Sequence, residues 1–215
     1  MSQFKAVIFD MDGVLVDTEN YYAQRRAEFF GTHRIPINHM KPTDFIGGNM
    51  KDIWPMILGE NFDEKQAKNF QKAYSEFKEE QPLPYEELLF PDVRDILDYL
   101  QKENYKIALA SSSAMFDIDK MLEIHGLRPY FQAIFSGNDL KVSKPHPEIY
   151  QLTMKALAVD PTECLIIEDS EKGIAAGKAA NATVWAIEDV RFGMNQSAAD
   201  KKVASLTAIM QLLDQ

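Results

Sequence analysis

Residues 6–18 read AVIFDMDGVLVDT and combine a short apolar run with a pair of carboxylates. The first four residues predict a buried strand, and Asp10 and Asp12 follow where that strand meets a loop. Side chains at positions i and i+2 of a strand share a face, so these two charges crowd unless a cation or a shared proton relieves them. The stretch therefore favours a divalent metal site, while the plainer alternative is a strand that ends in an acidic turn.

Several short apolar runs recur further along the chain and alternate with segments of helical spacing. The apolar runs are residues 107–110, 133–135, 164–167 and 183–187. Runs that are apolar on both faces are typical of parallel strands buried on both sides. Helical spacing of apolar residues occurs at residues 93–100, 147–158 and 206–213. This alternation predicts an α/β fold with a doubly wound, Rossmann-like parallel sheet.

The segment between the first and second apolar runs departs from this alternation. Residues 18–89 contain no convincing strand pattern but carry helix-like segments at residues 19–30 and 63–80. We therefore expect an all-helical cap domain over residues 18–89, inserted into a catalytic core made of residues 1–17 and 90–215. Paired prolines near residue 83 fit a stiff return to the core.

Composition excludes several classes of partner. The chain has 215 residues, a net charge of −10 and a pI near 4.9, which argues against nucleic acid or an anionic membrane as a partner. Cys164 is the single cysteine and predicts a buried apolar position in a reducing compartment. We expect a cytoplasmic protein without a targeting segment, a monomer or weak homodimer, whose partner is a small molecule.

Polar side chains follow the predicted strands at one edge of the sheet. In open α/β sheets, ligands bind at the carboxyl ends of the strands. The candidate residues there are Asp10, Asp12, Ser111, Ser112, Lys144, Glu168 and Asp169. Carboxylates, hydroxyls and a cation gathered in this way predict phosphoryl transfer to or from a small phosphorylated metabolite.

The acidic residues have two predicted roles. Mg²⁺ prefers oxygen ligands, and Asp10, Asp12, Glu168 and Asp169 are the candidate ligands. A carboxylate can also attack phosphorus and form an aspartyl-phosphate; Asp10, nearest the strand end, is the predicted nucleophile. Asp12 is then the general acid and base. The alternative for Asp12 and the Glu168–Asp169 pair is the capping of a turn or a helix.

The remaining core residues are predicted to bind the phosphoryl group. Ser111, Ser112 and neighbouring amide groups donate hydrogen bonds to phosphate oxygens, and Lys144 neutralises charge on the transferring group. A surface position for Lys144 and a simple turn role for Ser112 are the corresponding alternatives.

Four ordered motifs carry a family resemblance. They are the stretch at residues 10–18, the Ser111 block, the SKPHP stretch at residues 143–147 and the IEDS stretch at residues 167–170. They resemble the motifs of haloacid dehalogenase superfamily hydrolases and phosphotransferases, in particular the β-phosphoglucomutase-like branch with a helical cap. The resemblance implies the same roles: Asp10 as nucleophile, Asp12 as acid and base, and the acidic pair as Mg²⁺ ligands.

The cap departs from the mutase pattern. Tyr22 stands where that branch implies a His, and Met50 stands where it implies an Arg, although Lys51 is one residue away. The candidate substrate contacts in the cap are Tyr22, Gly47, Gly48, Asn49 and Lys51. Without the expected His and Arg, we predict a phosphatase. A β-phosphoglucomutase that interconverts β-glucose 1-phosphate and glucose 6-phosphate is the first alternative, and a phospho-accepting signalling domain is the second.

Overall fold

A parallel sheet runs through the centre of the molecule, for which a computed structural model describes residues 3–215. Its strands within those residues are Ala6–Phe9 (β1), Lys106–Ser111 (β2), Ala133–Ser136 (β3), Cys164–Glu168 (β4), Thr183–Ile187 (β5) and Lys201–Val203 (β6). All neighbours pair in parallel in the order β3-β2-β1-β4-β5-β6. Chain order reverses at β1, so the ends of β1, β2 and β4 meet at the switch point where such sheets bind ligands.

Helices alternate with the strands from β2 to β5, and a separate group of helices lies between β1 and β2. Within residues 3–215 the helices are Glu19–Thr32 (α1), Met50–Leu58 (α2), Glu64–Glu80 (α3), Val93–Lys102 (α4), Met115–His125 (α5), Glu148–Leu157 (α6), Glu171–Ala179 (α7) and Leu206–Leu213 (α8). The predicted doubly wound α/β sheet with an inserted helical cap is confirmed. The helices α2 and α5 and the strand β6 were not predicted.

The sheet is buried on both faces because its strands are apolar on both. In β1, Val7 and Phe9 pack on one face with α4, α5 and α8, whereas Ala6 and Ile8 pack on the other with α6 and α7. All four of these side chains are fully buried. This alternation follows from the two-residue period of a strand.

The helices α1, α2 and α3 have an apolar cluster of their own. Its largest side chains are aromatic, among them Phe29, Phe30, Trp54 and Tyr74. Phe29 meets Tyr74 edge-on with ring centroids 5.0 Å apart, and Phe30 meets Trp54 at 6.1 Å. Such pairs add to the stability that burial provides. The cluster joins the three helices into one packed unit, which we call the cap.

The two connections between cap and sheet run side by side. Val16 forms an isolated antiparallel bridge with Leu89, and the amide of Asp17 donates to the carbonyl of Leu88 at 2.8 Å. Tyr85, on the returning connection, is buried in the cluster of the sheet and not in that of the cap. The exact cap boundaries remain a prediction.

None of the helices in the described part of the chain is long and apolar enough to cross a membrane.

Candidate active site

Lys144 joins the ends of two neighbouring strands. Asp10 directly follows β1 and Glu168 ends β4, and the Lys144 ammonium donates to Asp10 Oδ1 at 2.9 Å and to Glu168 Oε1 at 2.7 Å. It also donates to the carbonyl of Ala110 at 3.0 Å. Asp10, Lys144 and Glu168 are each at most 5% exposed. Because all three donor positions of the ammonium are filled, Lys144 is held rigidly between the two carboxylates.

The Glu168 carboxylate is held by hydrogen bonds on both oxygens. Tyr150, on α6, donates its hydroxyl to Oε1 at 2.7 Å. The amides of Asp169 and Ser170 donate to Oε2 at 3.0 and 3.1 Å, and the Ser170 hydroxyl adds a further bond at 3.0 Å. Burial alone would raise the pKa of Glu168, but the Lys144 charge and these bonds lower it below its usual value. Glu168 is therefore held as a carboxylate.

Asp10 and Asp169 lie in a less compensated environment. Burial raises the pKa of Asp10, the Lys144 charge opposes that shift, and Glu168 adds to it. Burial also raises the pKa of Asp169, and its Oδ2 has no hydrogen-bond partner among the described residues. A buried carboxylate oxygen without a partner is costly unless a cation binds it.

The three carboxylates fit a divalent cation. Asp10, Glu168 and Asp169 offer oxygens that all lie within 4.8 Å of one another. Gly13 leaves room beside them, since a Cβ at that position would lie 2.1 Å from Asp169 Oδ2, and its φ of +77° suits glycine. An all-oxygen donor set of this kind matches hard divalent ions.

Asp12 lies outside this group of three carboxylates, and its role as a metal ligand remains a prediction. Its Oδ1 accepts from the Thr18 hydroxyl at 2.6 Å and its Oδ2 accepts from the Ser113 hydroxyl at 2.6 Å. Burial raises its pKa, and these two hydrogen bonds oppose the shift. The carboxyl is half-buried and lines the central cavity. Hydroxyl groups that fix both side-chain oxygens orient the Asp12 carboxyl toward a role in proton transfer.

The two predicted phosphate-binding serines differ in their surroundings. Ser111 ends β2, is fully buried, and accepts a hydrogen bond from the amide of Ser113 at 3.0 Å. Ser112 donates its hydroxyl to the carbonyl of Gly47 in the cap at 3.0 Å and lines the cavity. Ser112 therefore links the core to the cap, and phosphate binding by either hydroxyl remains a prediction.

Hydrogen bonds join the cap to the core around the site. The Asn49 amide donates to the carbonyl of Ser112 at 3.2 Å, and the Lys51 ammonium donates to the carbonyls of Asn138 and Leu140 at 3.0 and 2.6 Å. On the same side, the Ser143 hydroxyl donates to Asp52 at 2.5 Å. We call the contacts of Asn49, Lys51 and Asp52 the latch. In the latch, the Lys51 ammonium is bound to carbonyls of the core.

A cavity of about 680 Å³ lies between the cap and the core. Asp10 and Asp12 line it on the core side, and four of the five predicted cap contacts line it on the other: Tyr22, Gly47, Gly48 and Asn49. Lys51 does not, because its side chain turns to the core carbonyls of the latch. The cavity thus brings the catalytic candidates and most of the cap candidates to one enclosed space.

Several lining or supporting residues were not predicted. Glu19 and Arg25 of α1 line the cavity as buried ionisable residues, and Tyr85 lines it from the returning connection. Tyr150 supports Glu168 from α6. The position of Glu19 directly after the first motif was a signal that the sequence offered. The positions of the other three residues depend on how the cap and α6 pack.

The match to a known family covers most of the chain. The model of the haloacid dehalogenase-like hydrolases matches residues 7–187, which include every motif of the sheet edge. The chain belongs to the haloacid dehalogenase-like hydrolase family. The resemblance inferred from the motifs is thereby confirmed, and the chain is an enzyme of phosphoryl transfer.

Individual relatives in the family agree with this assignment. A phosphorylated carbohydrates phosphatase of Thermotoga maritima is 35% identical over 82% of this chain and 81% of its own length. Hexitol phosphatase B of Escherichia coli is 30% identical over 96% of this chain and 95% of its own. The solved β-phosphoglucomutase of Clostridium difficile has the same fold, with a TM-score of 0.81 at 24% identity, and the match covers 98% of this chain and 97% of the mutase.

Proposed function

We propose that this enzyme is a Mg²⁺-dependent phosphatase that hydrolyses a small phosphorylated metabolite, such as a sugar phosphate, through an aspartyl-phosphate on Asp10. The observation that carries the proposal is that two nearby carboxylates have different hydrogen-bond partners. Asp10 is bound to Lys144 at 2.9 Å, whereas Asp12 is bound to the hydroxyls of Thr18 and Ser113. Different surroundings give one group the role of nucleophile and the other that of proton donor.

The first half-reaction transfers the phosphoryl group to Asp10. A carboxylate oxygen of Asp10 attacks phosphorus, and the bond to the leaving oxygen breaks. Asp12 donates its proton to that oxygen, and the raised pKa of Asp12 favours the protonated form that this step requires. Lys144 offsets the negative charge that gathers around the transferring group.

The second half-reaction returns Asp10 to its carboxylate. Asp12, now ionised, takes a proton from a water molecule that attacks phosphorus, and the bond between phosphorus and Asp10 breaks. Inorganic phosphate leaves, and Asp12 is again protonated. The hydroxyls of Thr18 and Ser113 hold the Asp12 carboxyl in place for both proton transfers.

Mg²⁺ is the cation we assign to the carboxylates of Asp10, Glu168 and Asp169. The support is the oxygen-only donor set and the unpartnered Asp169 Oδ2. When bound, Mg²⁺ supplies positive charge that offsets the repulsion between Asp10 and the phosphate oxygens.

Three cap residues favour hydrolysis over mutase activity. A mutase holds a bisphosphate in two orientations, and the family resemblance implies that a cap His and a cap Arg at the positions of Tyr22 and Met50 would hold the second phosphate. Met50 carries no charge, Tyr22 carries no imidazole, and the Lys51 ammonium is used by the latch. The named activities of the Thermotoga maritima and Escherichia coli relatives are also hydrolytic. Membership in a hydrolase family favours an enzyme over a phospho-accepting signalling domain.

Phosphorus NMR tests the proposal directly. The protein is mixed with Mg²⁺, β-glucose 1-phosphate and a trace of glucose 1,6-bisphosphate, and free phosphate and glucose 6-phosphate are followed together. Release of phosphate without glucose 6-phosphate is expected for this or another phosphomonoester in a panel that includes p-nitrophenyl phosphate. Rapid isomerisation to glucose 6-phosphate would instead establish the mutase. Activity lost with EDTA and restored by Mg²⁺ tests the metal.

A further inference from the structure

Arg25 is a buried cation with unused hydrogen-bond donors. It lies on α1, is 5% exposed and lines the cavity above the sheet edge. Its Nη1 donates to the carbonyl of Gln81 at 3.0 Å, but its Nε and Nη2 have no partner among the described residues. Burying two donors of a charged guanidinium without acceptors costs free energy. A ligand that supplies two acceptor oxygens would remove that cost.

The free edge of Arg25 has a definite geometry. The Nε and Nη2 groups present two parallel N–H bonds on one side of the planar guanidinium, and this pair matches the two oxygens of a carboxylate or a phosphate. The bond from Nη1 to Gln81 fixes the rotation of the plane. The guanidinium is thus oriented before any ligand arrives, and because both free donors are closed to solvent, a ligand reaches them once a neighbouring side chain shifts.

Arg25 lies on the side of the site where the leaving group must be. Its guanidinium carbon sits 5.1 Å from the centre of the Tyr22 ring. The Tyr22 hydroxyl is 3.5 Å from the Ser113 hydroxyl, which donates to Asp12. Because Asp12 protonates the leaving oxygen in the proposed reaction, the rest of the leaving group extends past Tyr22. The Tyr85 hydroxyl, buried without a hydrogen-bond partner in the described part of the chain, lines the same space.

The other cap cations that line the cavity already have partners. The Lys78 ammonium donates to Asp117 at 2.9 Å. The Arg26 guanidinium lies 5.2 Å from the Phe45 ring centre and 3.9 Å from Glu19. Among the described cap cations of the cavity, Arg25 is therefore the one that has buried donors without a partner.

We propose that Arg25 binds a second oxyanion, a carboxylate or a phosphate, at the end of the substrate remote from the reacting phosphate. The inference rests on the proposed phosphatase function and specifies its substrate class: phosphomonoesters that carry a second anionic group over polyol phosphates of the same length that carry none. Arg25 is a specificity residue and takes no part in the chemical step.

Matched substrates test the proposal. Initial rates of phosphate release are measured for 6-phosphogluconate against glucitol 6-phosphate, which differ by one carboxylate, and for fructose 1,6-bisphosphate against fructose 6-phosphate, which differ by one phosphate. Wild-type enzyme is expected to prefer the member with the second anionic group in at least one pair. The pair that shows this preference identifies the oxyanion. Arg25→Met is expected to lower that kcat/KM ratio by about 100-fold, mainly through KM, because two charge-assisted bonds are lost.

Control variants separate the effect of the paired donors of Arg25 from the effects of its charge and of folding. Arg25→Lys keeps the charge but not the paired donors, and most of the preference is expected to be lost. Arg34→Met makes the same charge change at an exposed cap position outside the cavity and should keep the wild-type ratio. The Tm of Arg25→Met should not fall, because an unpaired buried charge is removed.

The failures of the two proposals differ. Hydrolysis of p-nitrophenyl phosphate without preference in either pair, or a preference retained in both Arg25→Met and Arg25→Lys, would overturn the role of Arg25 alone. An absence of hydrolysis with every phosphomonoester in the presence of Mg²⁺ would overturn the proposed function instead.

Discussion

The sheet edge and the cap wall of the same cavity are built differently. At the edge, Lys144, Asp10 and Glu168 are bound to one another at 2.7 to 2.9 Å and nearly closed to solvent. On the cap wall, two nitrogens of the Arg25 guanidinium and one oxygen of Glu19 are buried without hydrogen-bond partners among the described residues. The edge is arranged for the phosphoryl group that every substrate shares. The cap wall keeps unsatisfied groups for the part of the substrate that varies.

Replacing the nucleophile tests the edge with the largest expected effect. Asp10→Asn should reduce phosphate release by at least about 10⁴-fold with every substrate, since the amide does not attack phosphorus. Far-ultraviolet circular dichroism should show an intact fold. Asp95→Asn, an exposed change on α4, is the matched control and should keep full activity. Normal turnover by Asp10→Asn would contradict the aspartyl-phosphate.

Removing the proposed acid and base should have a large but smaller effect. Asp12→Asn is expected to slow turnover by about 10²- to 10⁴-fold, in the range of general acid–base catalysis. With p-nitrophenyl phosphate, whose leaving group needs little protonation, the phosphorylated enzyme should accumulate because water is no longer activated. Intact-protein mass spectrometry after rapid quenching would detect it. If the variant turned over at the wild-type rate, Asp12 would have no role in proton transfer.

Glu19 tests the cost of a buried carboxyl in the cap wall. Burial raises its pKa from 4.5 to about 7. Between these values the unfolded chain ionises while the folded chain stays protonated, so stability falls as pH rises, by up to about 3 kcal/mol. Glu19→Gln should remove that decline. Denaturant titrations from pH 5 to pH 8 compare the two proteins.

The control for Glu19→Gln is the same substitution at a solvent-exposed glutamate. Glu80→Gln, at an exposed position of the cap, should leave the pH dependence of the wild type unchanged. A stability curve for Glu19→Gln that stays parallel to the wild-type curve over this range would show that Glu19 is not held in its protonated form.

Loosening the latch should have the smallest effect. Lys51→Met removes two bonds to core carbonyls, so the cap should spend less time closed and KM should rise by about two- to fivefold with little change in kcat. Lys65→Met, at an exposed position of α3, is the control. A much larger loss of activity, confined to substrates with a second anionic group, would instead indicate that Lys51 leaves the latch to bind substrate.

The core could be predicted because its signals are local. Strands buried on both faces read as apolar runs, and the residue after each run must lie at one edge of a parallel sheet. That rule correctly placed Asp10 beside Glu168. It missed β6, whose Lys201 and Lys202 are exposed at the edge of the sheet. It also missed α2, because Pro55 lies inside that helix and normally signals an interruption.

The rest of the site depends on contacts between distant segments. Arg25 is oriented by the carbonyl of Gln81, at the other end of the cap, and Tyr150 reaches Glu168 from a different element. Lys51 was predicted to contact substrate from its position in sequence, but packing of the cap directs it to core carbonyls. Such directions follow from the packed helices, and no periodicity or motif in one sequence encodes them.

The paired connections at Val16 and Leu89 have an evolutionary meaning. An insert whose two ends touch can be exchanged as one piece, because the host sheet needs no new path to close behind it. Recombination at this junction would join the same phosphoryl-transfer edge to a different cap, and with it to a different range of substrates. A chimaera that receives the lid of a relative through this junction should keep the chemistry of its host and take the selectivity of its donor.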